Sequence, residues 1–195
     1  GANIVSNTYE YGQGVITFDG DVTEIGYKAF YECATLASIT IPETILEIAN
    51  HAFTSCSALI SINLPNSIKR QIGSSAFQDC ISLTSIVIPG GIELIQDAAF
   101  GGCTSLTTVT ILGRISDFSD GVFRDCINLS TFNGEYASTD NRCLIIDGRL
   151  AAFAPAGLTS YSIPEGVTSI GRYAFMRCKN LTNVTIEVEN NIDEL

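Results

Sequence analysis

The sequence predicts an α/β solenoid of about seven coils of about 23 residues, with one parallel β-sheet and short helical turns. Three observations carry this prediction. The motif Ile-Gly-x-x-Ala-Phe-x-x-Cys-x-x-Leu-x-x-Ile-x-Ile-Pro, first read over residues 25–42, returns along most of the chain. Its Phe recurs at Phe30, Phe53, Phe77, Phe100, Phe123 and Phe175, with spacings of 23, 24, 23, 23 and 52. The columns downstream of it stay apolar: Cys33, Cys56, Cys80, Cys103, Cys126 and Cys178, then Leu36, Leu59, Leu83, Leu106, Leu129 and Leu181.

Taken in order, residues 1–20 read as an N-terminal cap whose Val15, Ile16 and Phe18 are placed to cover the first coil. Residues 21–133 hold five repeats. In each, the end of the unit alternates apolar and polar with β-branched residues, as in Leu36, Ile39 and Ile41, which predicts a short strand. The Pro that follows at Pro42, Pro65 and Pro89 lacks a ladder donor and ends it. Around each Phe the apolar residues fall three apart, which predicts a turn or two of 3₁₀ or α-helix. The Val22-x-x-Ile25-Gly26 segment carries the coil between the two. Its Gly column also holds Ala49, Gln96 and Ser119, so a positive φ is not required there.

The 52-residue gap contains a seventh unit that has lost its Ala-Phe-x-x-Cys half but keeps Leu158, Tyr161, Ile163 and Pro164. Ahead of it, residues 134–157 place two apolar runs, Cys143 to Ile146 and Arg149 to Phe153, around Asp147-Gly148, a dipeptide that favours a tight turn. This segment is expected to be a hairpin inserted into one coil. Residues 158–187 complete the degenerate and last repeats, and 188–195 form a tail with little to cap the final coil. That edge is expected to continue into further sequence or to pack against another molecule, a second copy included.

Composition narrows the function. A net charge of −11 and a pI near 4.3 argue against nucleic acid, whose phosphates are held by clustered Lys and Arg. Residues 1–113 hold only Lys28, Lys69 and Arg70, while seven cations crowd the remainder, among them Arg124, Arg177 and Lys179 beside the Cys column. These read as a solvated surface or as a weakly basic convex patch. No apolar run approaches the roughly 20 residues a membrane span needs.

Stacked one repeat apart, the column cysteines point the same way, which is wrong for disulfides, and no Cys-x-x-Cys pair offers a metal site. They are expected to be buried, reduced and apolar in effect. Cys143 lies outside the column and is the one candidate for an exposed, reactive thiol. His51 is the sole histidine, in a column with Lys28, Ser75, Ala98, Gly121 and Tyr173. No catalytic, cofactor-binding or metal-binding residues are assigned.

The repeated unit resembles the BspA-like leucine-rich repeats of bacterial surface and secreted proteins, over roughly residues 20–187. Cys precedes the strand here, whereas the commoner leucine-rich form places it after. The resemblance implies an exported, cell-surface, non-enzymatic adhesion or protein-interaction module, often part of a longer chain. Its partner would be a host or bacterial surface protein, or a glycan.

Two surfaces are candidates for binding. The outward positions of the sheet include Ser61 and Asn63, Ser85, Thr108 and Thr110, Thr131 and Asn133, and Ser160 and Ser162. They form a small, hydroxylated, uncharged face that reads either as good exposed strand chemistry or as weak multivalent contact. The hairpin region carries Tyr136, Arg142, Arg149 and nearby Tyr161; it reads either as a binding insertion, a spacer or a dimer contact. A carbohydrate-binding accessory module is the alternative function, and the absence of Trp with 9% aromatic content weighs against it. A structural spacer is a third reading.

Overall fold

The computed structural model describes residues 4–10 and 13–186. Its strands are β1 (Ile4–Glu10), β2 (Gln13–Phe18), β3 (Glu24–Ile25), β4 (Glu47–Ile48) and β5 (Gln71–Ile72). Next come β6 (Ser85–Ile88), β7 (Ile92–Ile95), β8 (Thr108–Ile111), β9 (Ile115–Phe118) and β10 (Thr131–Gly134). The last are β11 (Cys143–Ile146), β12 (Arg149–Phe153), β13 (Ser160–Ile163), β14 (Ser169–Ile170) and β15 (Asn183–Ile186). The fold is the solenoid of about seven turns, and its coils stack in parallel.

Instead of one sheet there are two main parallel stacks. The expected strand at the end of each repeat forms the sheet β10-β8-β6, with β13-β15 as a separate pair. The Val-x-x-Ile crossing segments form the other, β3-β4-β5-β7-β9. Period-2 reasoning passes over it because its inward residues are three apart, as Ile92 and Ile95 show within β7. In the first two repeats the segments holding Ser38 to Ile41 and Ser61 to Leu64 run without ladder pairing.

The expected helical turns are replaced by arcs of overlapping turns, and no helix occurs among the described residues. Alternate amides explain the difference. The N–H groups of Ala29, Tyr31 and Cys33 donate back to Gly26, Lys28 and Phe30. Those of Lys28, Phe30 and Glu32 donate to the next coil instead, at Asn50, Ala52 and Thr54, over 3.3, 2.7 and 2.8 Å. Left-handed residues two before and two after the Phe produce this alternation, for example Lys28 at φ 58° and Glu32 at φ 59°. Each interrupts helical propagation at about 1–2 kcal/mol, and the inter-coil bond it makes available offsets that.

Inside, Phe30, Phe53, Phe77, Phe100 and Phe123 stack face to face at 5.0, 5.1, 5.1 and 5.5 Å between centroids. Phe53, Phe77 and Phe100 have no exposed surface. The main core runs from Ile25 to Ala154, and a second cluster gathers Leu150, Phe153, Tyr161 and Ile163 under the last coil. Phe153 of β12 restarts the aromatic file against Phe175 at 4.8 Å.

The strands β11 and β12 pair antiparallel around Asp147-Gly148, with φ of 48° and 75° as a type I′ turn needs. They do not project: Leu144, Leu150 and Ala151 to Ala154 are buried, and β12 joins β14 in parallel. At the N-terminal end, among the described residues, β1 and β2 pair only with each other. Val15 and Ile16 are exposed, and Phe30, Cys33 and Leu36 of the first coil are half-buried. The side chain of Phe18 and the tail 187–195 lie outside the described residues.

Candidate functional site

The hydroxylated face is built by the register of β6, β8 and β10. Ser85, Thr108 and Thr131 stand side by side in one row, and Val87, Thr110 and Asn133 in the next. Inward partners Ile86, Val109 and Phe132 are buried, which fixes the alternation and turns the hydroxyls outward. Asn133 Nδ2 donates to Thr110 Oγ1 at 3.4 Å, and Ser130 and Thr131 share a 3.3 Å contact. The face therefore has a bonded Asn133–Thr110 pair, no charge and one apolar residue, Val87, at 49% exposure.

It ends at Asn133. Gly134 takes φ 113° beside Ile111 O, and the chain loops back so that Phe132 N–H donates to Asn141 O at 2.8 Å. Ser160 and Ser162 consequently sit on the separate sheet, opposite Asn183 and Thr185, where Ser162 and Thr185 oxygens are 3.0 Å apart. Ser61 and Asn63 are exposed beside the first face but outside any strand.

The four candidates around the hairpin have their polar atoms engaged inside the molecule. Tyr136 Oη accepts from Ile115 N–H at 3.2 Å. Arg142 donates to Ala154 O and Ala156 O at 3.3 and 2.9 Å, tying the hairpin's exit to its entry. Arg149 pairs with Asp120. Tyr161 is 8% exposed, and burial together with Cys143 and Asp140 pushes its hydroxyl pKa well up.

Cys143 reverses its expectation. It is fully buried, its Sγ meets Tyr161 Oη at 3.1 Å, and burial raises its thiol to about 11. The seven cysteines are all free, with Cys33 and Cys178 half-buried. The side chain of His51 is also structural: Nδ1 lies 3.3 Å from Thr54 Oγ1, which donates to Ser75 O. Among the described residues no three His, Cys, Asp or Glu side chains converge as a metal site would require, and no helix is long and apolar enough to cross a membrane.

Sequence reasoning overlooked one aromatic surface. Tyr27 and Tyr31, four apart in the first arc, are 64% and 38% exposed, lie edge-on to His51 and hold Lys28 over their rings. The left-handed conformation at Lys28 brings the two rings to one side, and no spacing rule for helix or strand anticipates it.

The family described as BspA type leucine-rich repeat region matches the sequence in six copies, over residues 7–139 and 149–194. Among curated proteins no sequence matches. Three crystal structures share the architecture. A leucine-rich repeat protein of T. pallidum is 28% identical with a TM-score of 0.55, covering 85% of this chain and 64% of its own. One from Eubacterium ventriosum is 18% identical with a TM-score of 0.60, covering 83% and 47%. The pneumococcal vaccine antigen PcpA is 17% identical with a TM-score of 0.53, covering 94% and 54%. The chain thus spans less than two thirds of each of these proteins.

Proposed function

This chain belongs to the BspA-type leucine-rich repeat family, and we propose that it is an exported, cell-surface, non-enzymatic module that binds another protein through the face of β6, β8 and β10. The observation that carries the reading is the pair of adjacent rows, Ser85-Thr108-Thr131 and Val87-Thr110-Asn133, held at strand spacing by a buried core. Solenoids recognise partners across such extended surfaces, because a rigid stack presents many weak contacts without an ordering cost. Val87, on the edge strand β6, supplies an apolar contact, and the hydroxyls of β8 and β10 supply polar ones.

A glycan-binding reading rests on Tyr27 and Tyr31, since exposed rings offer stacking surfaces to sugars. One experiment separates the two: binding of the chain to arrayed extracellular-matrix proteins and glycans, beside the variants Thr108→Lys and Tyr27→Ala. Protein binding lost in Thr108→Lys and kept in Tyr27→Ala is the expected result. Glycan binding lost only in Tyr27→Ala would replace it with the sugar reading, and no loss in either variant would sink both.

A further inference from the structure

Along the arcs, the N–H two residues after each Phe donates to the carbonyl one residue after the Phe of the next coil. Glu32 to Thr54, Ser55 to Gln78, Asp79 to Gly101 and Gly102 to Arg124 all span 2.8 Å. The series stops at Asp125. Its φ of 63° aims its N–H along the axis like the others, yet no acceptor meets it among the described residues. In the last coil the equivalent carbonyl, one residue after Phe175, is Met176 O, which takes a 3.9 Å contact from Cys178 Sγ. Between the two the degenerate unit lacks its Ala-Phe-x-x-Cys half. Phe153 restores the ring on the inside, but nothing restores the outer backbone of the arc.

Asp125 lines a surface groove of about 350 Å³ that runs from Asp79 and Gly102 of the preceding coils to Arg177 of the last. Ile127, Pro155 and Leu181 line its apolar part, and Ile127 is 44% exposed. Arg177 reaches across to Asp125, with Nε 3.2 Å from the buried Oδ1 but not aligned as a hydrogen bond. Lys179 lines the same groove and makes no ion pair among the described residues; of the two carboxylates that also line it, Asp125 faces Arg177 and Asp79 accepts from Gln78 Nε2 at 3.3 Å.

We propose that this groove binds a short extended peptide that completes the interrupted arc. One peptide carbonyl accepts from Asp125 N–H and the next N–H donates to Met176 O, repeating the geometry of the intact coils. This is the logic of strand addition to an open sheet edge, where the main chain supplies affinity and pockets supply choice. An apolar side chain packs on Ile127, Pro155 and Leu181, and an acidic one beside it faces Lys179. The site is distinct from the sheet face and stands whether or not that face binds protein.

The test uses three labelled hexapeptides with Leu-Glu, Leu-Lys or Gly-Ser at the centre, titrated by fluorescence anisotropy. The Leu-Glu peptide is expected to bind, Leu-Lys about ten-fold more weakly, and Gly-Ser not at all. Ile127→Asp, a change at an exposed position, should weaken the Leu-Glu peptide by about ten-fold or more. Lys179→Glu should invert the preference between Leu-Glu and Leu-Lys. Hydrogen exchange at the Asp125 amide should slow on binding. Leu-Glu binding no tighter than Gly-Ser, affinity indifferent to both groove variants, or an Asp125 amide unaffected by peptide would each overturn the proposal. A dimer seen in sedimentation and dissolved by Ile127→Asp would overturn it in favour of a second copy.

Discussion

Cys80 donates its thiol hydrogen to the carbonyl oxygen of Phe53, 3.2 Å away in the preceding coil. The same oxygen accepts the Cys56 N–H of its own arc, so one carbonyl ties a turn closed and also ties two coils together. Cys56 to Phe30, Cys103 to Phe77 and Cys126 to Phe100 repeat the bond at 3.1, 3.2 and 3.2 Å. The column cysteines are therefore small, buried donors and not only apolar filler. Serine would fall short because its C–O bond is shorter than C–S, and alanine would leave the carbonyl half-satisfied.

Cys103→Ala should cost about 1–3 kcal/mol, from a lost bond at a buried carbonyl together with a small cavity. Cys178→Ala should cost less, since Cys178 is half-buried and has no cross-coil acceptor among the described residues. Urea denaturation of both variants measures the difference. Equal losses would mean that the thiol acts by volume alone.

Alkaline pH should weaken the fold before other residues explain it. Burial raises Cys56 to about 11 and Cys126 to about 12, from an ordinary value of 9.0. Because the folded state holds these thiols neutral, their contribution is complete below pH 9 and is lost as pH rises from about 9 to 12. The slope is at most about 1.4 kcal/mol per pH unit for each thiol. Denaturation curves taken from pH 8 to 11 should fall less steeply in the Cys56→Ala, Cys126→Ala double variant than in the parent chain. Parallel slopes would remove the thiols from the explanation.

The inward columns were legible in the sequence because each is a single residue type repeated at one period: Phe77, Cys80 and Leu83 are buried as that regularity requires. The sheet through Ile25, Ile48 and Ile72 was not legible, because two-residue strands give no alternation to detect. The left-handed residues at Lys28, His51 and Ser75 were hidden for a different reason. Nothing in their chemistry demands a positive φ, and only the bonds made to the next coil stabilise it. Arg142 and Arg149 looked like surface ligands because their backbone and carboxylate partners lie 12 to 31 residues away in sequence.

Asp120 should prove a clamp between coils that are distant in sequence. Its carboxylate pairs with Arg149 of β12, and its Oδ1 accepts from Arg172 N–H at 3.2 Å. The pair is partly solvated, so Asp120→Ala should cost only about 1–2 kcal/mol. Asp120→Asn keeps the acceptor for Arg172 and should cost less. Hydrogen exchange at Arg172 should quicken in the Ala variant and stay near its parent value in the Asn variant; equal exchange in both would assign the effect to charge alone.

Gly134 should be the least replaceable of the described glycines. A Cβ there would lie 2.1 Å from Ile111 O and 3.1 Å from Ile111 C, both backbone atoms that cannot move without breaking the pairing of β10 with β8. Its φ of 113° is also one that side chains rarely adopt. Gly134→Ala is therefore expected to cost more than about 3 kcal/mol, combining clash and strain. Gly157 offers the control: its φ is 75° but nothing lies within 4 Å of a Cβ, so Gly157→Ala should cost only about 1–2 kcal/mol of strain. Thermal denaturation ranks the two. The consequence reaches function, because β10 carries Thr131 and Asn133 on the proposed binding face. Gly134→Ala should release the Asn133 bond to Thr110 and reduce partner binding with Gly157→Ala unaffected. Equal stability of the two variants would mean that β10 can shift away from Ile111 without loss.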